Sequence, residues 1–243
     1  MSKQRGLLDV QELDFRTDQL AQRRRTLPEL EEIGRLQEER AEAQGALVEA
    51  RAEVEDLSRE QRKADADVEQ VKARRVRNQQ RLDQGQVSSP KELEALQQEV
   101  ESLERRIGTL EDEELEVMEN LEHAQEQVTE FQSSIEALDA SITDAEKRRD
   151  EAFAEIDRDA EEARAERDRI ASGLSDDLLA LYEKIRGSHG GVGAAALVRG
   201  RCGGCRLEIN PADLSRMTLA AEDEVLRCDE CTRILVRTAE SGV

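Results

Sequence analysis

The sequence predicts a mainly α-helical protein, in which a long antiparallel coiled-coil hairpin is followed by a small C-terminal domain. Three observations predict this fold. The composition is unusually charged, apolar residues recur at heptad spacing in two long stripes, and four cysteines lie within the last 42 residues.

The composition excludes an ordinary globular core. Of the 243 residues, 57 are Asp or Glu and 36 are Lys or Arg, so the net charge is -21, and only 37% are hydrophobic. A globular domain typically has about 25% charged and about 45–50% apolar residues. The classes that remain are a disordered chain, a long solvated helix, and a coiled coil with a small domain attached.

Two apolar stripes decide in favour of the coiled coil. Residues 93–156 contain nineteen positions at steps of three and four, from Leu93 to Ile156, and seventeen of them are apolar. A second stripe, which is richer in alanine, runs from Ile33 to Leu82. A sustained 3.5-residue repeat keeps one face of a helix against a partner helix. Each stripe therefore predicts one arm of a coiled coil.

The segment DQGQVSSPKE between the stripes predicts a turn near residues 83–90. Ser89, Pro90 and Glu92 have the pattern of an N-cap, a first helical residue and a capping-box acid. The arms on the two sides of this turn are similar in length, so we expect them to pair as a hairpin.

One antiparallel register aligns the two stripes. If the numbers of facing residues add to 174 or 175, Leu82 faces Leu93 and the polar Gln61 faces the polar Glu114. Residues 59–81 contain eight basic and four acidic residues, whereas residues 94–116 contain nine acidic residues and two arginines. Opposite charges on the flanks of two helices favour their pairing.

Five basic residues near the turn have two interpretations. They form either a patch for RNA or an acidic partner, or the basic side of ion pairs across the hairpin. Pairing is favoured because its acidic complement is present. The residues are Lys72, Arg74, Arg75, Arg77 and Arg81.

Proline and glycine mark the other boundaries. Thr26, Pro28 and Glu29 repeat the capping pattern, which divides the first arm into a short helix over 7–25 and a long one. Leu13, Leu20 and Leu27 then form a stripe against the base of the second arm.

A short apolar face, formed by Leu178, Leu181, Tyr182 and Ile185, predicts a connecting helix that ends at Gly187. The following GSHGGVG predicts a hinge or a tight turn. A phosphate loop is disfavoured because no GK[ST] follows. The predicted domains are a hairpin over 1–171, a connecting helix with a Gly-rich hinge over 172–193, and a ribbon over 194–243.

Two Cys-x-x-Cys pairs predict a metal site. Cys202, Cys205, Cys228 and Cys231 have the ligand type and spacing of a zinc ribbon. Four sulfur ligands leave no open position on the ion, so we expect one structural Zn²⁺ that folds the segment. An iron–sulfur cluster and a dithiol redox pair are the alternatives, and a redox pair does not explain two copies.

Four arginines flank these cysteines and are the predicted partner-binding residues. Arg201 and Arg206 flank the first pair, and Arg227 and Arg233 flank the second. The ribbon lacks aromatic residues on which bases could stack, so protein contact is favoured over nucleic acid. His123 and His189 are expected to be ordinary solvated histidines.

The sequence resembles a bacterial family of four-cysteine zinc-ribbon proteins with a long N-terminal coiled-coil hairpin. The resemblance covers essentially the whole chain and lies in LLDVQELD, PKELEALQQEVESLERRIGTLEDEELEVME, LLALYEKI and the ribbon. It implies the same four zinc ligands and no assigned catalysis. Some members are implicated as adaptors or chaperones for an alternative sigma factor, for secretion components or for a messenger RNA. Thr232 departs from the family pattern, which usually has Gly after the last Cys.

The expected function is that of a non-enzymatic adaptor that binds protein partners, which include transcription or secretion machinery, through its ribbon and its coiled coil. A nucleic-acid-binding regulator, of RNA or DNA, is the alternative. A hairpin that enters RNA polymerase is less favoured because the turn offers only Asp83, without a second carboxylate. Catalysis is not expected, since no nucleophile, base and orienting group come together.

The remaining expectations concern compartment and assembly. No apolar run approaches the roughly 18 residues of a membrane helix, and the N-terminus has no apolar signal-peptide core. A cytoplasmic protein without membrane contact is therefore expected. Monomer and dimer both stay open.

Overall fold

The computed structural model describes residues 3–242 and shows a mainly α-helical chain that ends in a small sheet. Its helices are α1 Gly6–Arg25, α2 Pro28–Asp83, α3 Pro90–Ala171, α4 Asp176–Ser188 and α5 Pro211–Leu219. Its strands are β1 Ala194–Val198, β2 Arg201–Cys202, β3 Leu226–Arg227 and β4 Ile234–Arg237. A short 3-10 turn, Lys3–Arg5, precedes α1. The predicted fold class is confirmed.

Contacts divide the chain into two compact units. Residues 32–145, called the hairpin unit, contain most of α2 and much of α3. Residues 1–31 together with 146–243, called the ribbon unit, contain α1, the C-terminal part of α3, α4 and the sheet. The domain boundaries predicted at 171 and 193 stay a prediction.

The predicted stripes are the buried seam of the hairpin unit. From Ile33 to Leu82 and from Leu96 to Ala145, every predicted stripe position is buried or half-buried. Leu93 is the exception, because it is 40% exposed while Leu96 is 5% exposed. The prediction that Leu93 belongs to the seam is therefore wrong, and the buried seam of the second arm begins one step later.

The turn has the predicted capping chemistry. The Gly85 N–H donates to Leu82 O at 3.1 Å and the Gln86 N–H donates to Arg81 O at 3.1 Å. These two bonds and a φ of 64° at Gly85 end α2 with a Schellman motif. At the start of α3, the Glu92 N–H donates to Ser89 Oγ at 3.2 Å, which confirms the N-cap. The Glu92 carboxylate accepts from the Ser88 N–H at 3.0 Å instead of from Ser89.

Ion pairs across the hairpin confirm the favoured interpretation of the basic residues near the turn. Four of the five pair with glutamates of α3: Lys72 with Glu111, Arg74 with Glu99, Arg75 with Glu104, and Arg81 with Glu92. The residue numbers of these pairs add to values from 173 to 183, so the pairs show that the arms are antiparallel but do not fix the register at 174 or 175. The pairing of Gln61 with Glu114 stays a prediction.

In the ribbon unit, α1 packs against the C-terminal part of α3. Leu20 and Leu27 bury against Ile156 and Ala160, as the stripe predicts. The prediction that Thr26 caps α2 is wrong. Its N–H and hydroxyl both donate to Gln22 O, so Thr26 ends α1 instead.

The sheet has the order β2-β1-β4-β3, with β1 and β4 parallel and both outer pairs antiparallel. Side chains alternate between its faces, as the two-residue period of a strand requires. Ala194, Ile234 and Val236 pack on α1 and α4. Ala195 and Leu235 point to the opposite face, which holds the cysteines.

The Gly-rich segment after α4 forms a tight turn that is bonded to the rest of the unit. The Gln11 side chain donates to Gly191 O at 2.8 Å and accepts from the Gly193 N–H at 2.7 Å. A Cβ at Gly193 would lie 2.6 Å from Tyr182 O and 2.7 Å from the Tyr182 ring. Only glycine therefore fits between β1 and α4.

A buried polar network, which the sequence did not reveal, joins α1, α3 and α4. The Tyr182 hydroxyl donates to Asp14 Oδ2 at 2.7 Å, and Arg167 Nε donates to Asp14 Oδ1 at 3.1 Å. Arg186 Nε lies 3.6 Å from the same carboxylate. Burial, reinforced by the bond to Asp14, raises the pKa of Tyr182 far above its ordinary value. The tyrosine thus stays a neutral donor.

Candidate metal centre

The sheet delivers the four cysteines to one place from two hairpin loops. Cys202 ends β2 and Cys228 follows β3, and both are buried. Cys205 and Cys231 lie in the loops and are half-buried. The surrounding apolar cluster includes Leu197 and, from the helix between the loops, Met217.

The two Cys-x-x-Cys loops have the same backbone pattern. In the first, the Arg206 N–H donates to Cys202 O at 2.8 Å, and in the second the Thr232 N–H donates to Cys228 O at 2.8 Å. The N–H of each first cysteine in turn donates to a carbonyl beyond the loop at 3.0 Å. Each loop therefore folds back on itself and points two sulfurs the same way.

Both loops require a left-handed residue directly after their second cysteine. The φ angle is 66° at Arg206 and 58° at Thr232. Thr232, which stands where the family pattern usually has Gly, therefore adopts a backbone conformation that favours glycine. The equivalent strain at Arg206 was missed, although its position after Cys205 matches that of Thr232 after Cys231.

Glycine in the first loop serves close packing. A Cβ at Gly203 would lie 2.8 Å from Ala196 O, and a Cβ at Gly204 would lie 2.6 Å from Arg233 Cδ. The Gly203 N–H also donates to Ala196 O at 2.9 Å. Neither glycine has a positive φ, so these positions require glycine for close packing and not for a left-handed backbone.

The four sulfur atoms have the spacing of a tetrahedral zinc shell. The Sγ atoms of Cys202 and Cys231 are 3.7 Å apart, and those of Cys205 and Cys228 are 3.8 Å apart. All four lie within 4.8 Å of one another. Zn–S bonds of about 2.3 Å in a tetrahedron place sulfurs about 3.8 Å apart. The residues therefore fit one Zn²⁺ that is bound by protein sulfur alone.

The thiols of Cys202, Cys228 and Cys231 differ in acidity. Burial raises the pKa of Cys202 and raises that of Cys228 to about 12. At Cys231 burial acts in the same direction, but hydrogen bonds from the backbone and side chain of Arg233 outweigh it and lower the pKa to about 7. Zinc binding at neutral pH must therefore displace protons, chiefly from the two buried thiols.

The structure divides the four predicted partner-binding arginines into two groups. Arg201, Arg206 and Arg227 are exposed, and Arg201 forms an ion pair with Glu208. Arg233 is half-buried, and its guanidinium donates to the carbonyls of Val192 at 3.0 Å and His189 at 3.1 Å. Arg233 thus holds the Gly-rich turn beside the metal centre.

The two histidines have different surroundings. His123 is exposed on α3, as expected. His189 is half-buried, since its Nδ1 lies 3.1 Å from Ile185 O and its Nε2 lies 3.3 Å from Thr232 Oγ1. The expectation of an ordinary solvated side chain is therefore wrong for His189.

None of the helices within residues 3–242 combines the length and the apolar character that crossing a membrane requires.

Comparison with known proteins gives the same two parts. Residues 10–190 match the family model of a CT398-like coiled coil hairpin domain, and residues 201–235 match that of a C4-type zinc ribbon domain. An uncharacterized protein of Mycobacterium tuberculosis is 37% identical over 237 residues, which cover 98% of this chain and 96% of the relative. An uncharacterized protein of Mycobacterium leprae is 31% identical over 221 residues, which cover 91% and 94%.

Solved structures agree with these matches. A structure from Mycobacterium smegmatis has a TM-score of 0.80 and 34% identity, with 98% of each chain covered. The structure of CT398 from Chlamydia trachomatis has a TM-score of 0.67 at 17% identity, with 97% of this chain and 98% of that chain covered, and shows the fold alone. The chain therefore belongs to the family that joins a CT398-like coiled coil hairpin to a C4-type zinc ribbon.

Proposed function

We propose that the protein is a non-enzymatic adaptor that binds a protein partner through the exposed arginines of its zinc ribbon. The observation that carries this proposal is the ligand set of the metal centre. Four protein sulfurs complete a tetrahedral shell, so the ion has no position for water or substrate. The zinc then acts as a fold-forming element, and the surface that it orders is what remains for function.

The ordered surface has the chemistry of a protein contact. Arg201, Arg206 and Arg227 are exposed beside the two cysteine loops. Arg227 Nε donates to Thr232 O at 3.1 Å, which leaves the other nitrogens of its guanidinium available. Arginine forms planar, bidentate bonds with carboxylates and is enriched at interface hot spots. An acidic segment of a partner protein fits these three side chains.

Other features of the chain support a role in binding instead of catalysis. The titratable groups of the Asp14 network are buried or bonded to one another, which is typical of a structural cluster. The four cysteines lack disulfides and fit a reducing compartment, so we place this function in the cytoplasm.

A nucleic-acid contact is the second candidate, because the same exposed arginines could bind phosphates. From Gly187 onward, however, seven basic residues are balanced by eight acidic ones, and this segment has no Phe, Tyr or Trp. Binding to RNA or DNA would show affinity that falls steeply as salt rises, whereas an absence of binding at low salt would remove this candidate.

Crosslinking from the ribbon tests the adaptor function. A photoreactive residue at position 206, in full-length protein inside cells, is expected to capture one predominant protein. The triple variant Arg201→Ser, Arg206→Ser, Arg227→Ser should weaken the purified complex by at least about tenfold. Arg164→Ser is the matched control, since Arg164 is an exposed arginine of α3. Equal loss in the control, or unchanged affinity in the triple variant, would contradict the proposal.

A further inference from the structure

Most of the net charge of the protein lies in two facing segments, and all of their residues except Glu146 belong to the hairpin unit. Residues 107–146 contain thirteen acidic residues and no Lys or Arg, and residues 32–71 contain twelve acidic and six basic residues. These segments therefore carry -19 of the total -21. The ion pair Arg40–Asp139 shows that the two segments lie side by side, and Lys72, the residue after the first segment, pairs with Glu111 of the second.

Pairing across the hairpin does not use all of this charge. The basic residues that match the acidic arm lie nearer the turn, where Lys72, Arg75 and Arg81 are already engaged. Within residues 3–242, neither Glu119 nor Glu122 has an ion-pair partner. Among the described residues, the carboxylates of Glu119 and Glu122 therefore have no basic side chain within ion-pair distance.

An apolar groove lies among these carboxylates. It has a volume of ≈ 540 Å³ and lies between Gln61 of α2 and a face of α3. Leu115 is 55% exposed and Met118 is 43% exposed, and both line the groove together with Glu119 and Glu122.

The groove continues along the hairpin. A second groove of ≈ 410 Å³ shares Gln125 with the first and is lined by Val54, Val128, Glu55 and one basic residue, Arg51. The two grooves together follow α3 from residue 115 to residue 129. They form a channel with an apolar floor, edged by Glu119 and Glu122 in the first groove and by Glu55 and Arg51 in the second, which we call the acidic groove.

We propose that the acidic groove binds a basic amphipathic helix of a partner protein. Such a helix would place its apolar face on Leu115 and Met118 and its Lys or Arg side chains beside Glu119 and Glu122. A helix that binds in a groove inserts apolar side chains spaced three and four residues apart, and the charges around the groove determine which partner binds. A second copy of this chain fits less well, because its corresponding segments are also acidic.

This inference rests on the proposed adaptor function and adds a second contact surface with the opposite preference. The ribbon arginines fit an acidic segment, whereas the acidic groove fits a basic one. An adaptor with both surfaces can hold two different partners.

A synthetic peptide provides the test. The probe is a fluorescent peptide of about 18 residues, with leucines on one helical face and lysines on its flanks. The control peptide has the same composition in scrambled order, so that it keeps the charge without the apolar face. Fluorescence anisotropy with the full-length protein should show binding of the amphipathic peptide that is at least about tenfold tighter than that of the scrambled one.

Two pairs of variants locate the binding. Leu115→Ser with Met118→Ser should lower the affinity about tenfold, whereas Val48→Ser, which alters an apolar side chain that is 67% exposed and outside the groove, should leave it unchanged. Glu119→Gln with Glu122→Gln should weaken binding and its salt dependence. Glu130→Gln with Glu136→Gln is the matched charge control, because both residues are exposed on the same arm.

Each outcome decides the proposal. Equal binding of both peptides would show that the protein attracts the positive charge of the peptides without recognising an apolar helical face, which would contradict the proposal. An absence of binding by either peptide would also contradict it. A dimer in sedimentation that is lost in the Leu115→Ser, Met118→Ser variant would identify a second copy as the occupant and overturn the proposal. The ribbon variants are measured on a different partner complex, so failure here leaves the adaptor function to be judged separately.

Discussion

Individual residues were predictable from the sequence where their role depends on near neighbours in the chain. The four cysteines were identified from spacing alone, and the N-cap Ser89 from a four-residue pattern. Gly193 could not be predicted as a packing residue, since its requirement arises from the Tyr182 ring, which approaches from another element. Asp14 was missed for the same reason, because its partners lie 153 and 168 positions away in the sequence.

Thr232 gives a direct test of strain in the second cysteine loop. A β-branched residue at a φ of 58° is disfavoured by about 1 kcal/mol or more relative to glycine. We expect Thr232→Gly to retain zinc at a higher chelator concentration than the natural protein. Thr232→Ala is the control, because it also removes the hydroxyl near His189 but keeps a Cβ. Equal zinc retention in the two variants would show that the backbone is not strained.

Asp14 gives a test of the buried network. Asp14→Asn would leave Arg167 and Arg186 without their shared carboxylate, and breaking a buried ion pair costs about 3–5 kcal/mol. Because Arg167 keeps its ion pair with Glu183, Arg186 keeps its ion pair with Asp18, and both arginines keep some solvent exposure, we expect a loss of about 2–3 kcal/mol, measured by urea unfolding. Tyr182→Phe removes only one neutral donor and should cost about 1 kcal/mol. A similar small effect for both variants would mean that the charges contribute little.

At the scale of elements, heptad periodicity predicted the seam of the hairpin from Ile33 onward. The failure at Leu93 has a physical reason. The residue lies in the first turn of α3, next to the loop, and the opposing helix ends at Asp83, one residue beyond its predicted partner Leu82, so Leu93 has few neighbours on the side of the turn. A periodic pattern identifies the apolar face of a helix but does not show where its partner stops. Thr26 failed similarly, since a threonine near a helix boundary can serve either helix.

The register of the two arms is testable by disulfide formation. We expect Gln61→Cys with Glu114→Cys to form an intramolecular disulfide under mild oxidation, because facing seam positions bring Cβ atoms to about 4–5 Å. Gln61→Cys with Val117→Cys samples the register that is one step away. Both pairs are made in the full chain with zinc bound, so that the four natural cysteines are protected. Faster crosslinking of the second pair would contradict the predicted register.

At the scale of the whole molecule, the total charge can be counted in the sequence. Where the charged residues lie relative to apolar ones depends on how the two arms pair, which the sequence does not give. The strong acidity of residues 107–146 is visible in the sequence. That it surrounds an apolar groove follows only from which residues of α2 and α3 lie together. The near-neutral segment after Gly187 and the acidic hairpin unit therefore offer partners two different kinds of surface.

The zinc ribbon does not depend on the metal alone for its folding, because helices outside the ribbon also support its sheet. One face of its sheet packs on α1 and α4, including Leu7, Val10 and Tyr182. The other face is held together around the cysteines. Zinc is therefore expected to fold the two cysteine loops and α5, while β1 and β4 keep support from the helices.

Hydrogen exchange on the full chain, with zinc bound and after its removal by a chelator, tests the central claim that zinc orders the partner-binding surface. We predict that amides in residues 199–233 lose protection when zinc is removed, while the seam of the hairpin unit keeps its protection. Cys228→Ser should reproduce the same pattern without a chelator. Unchanged protection of residues 199–233 in protein shown to be free of zinc would contradict the account.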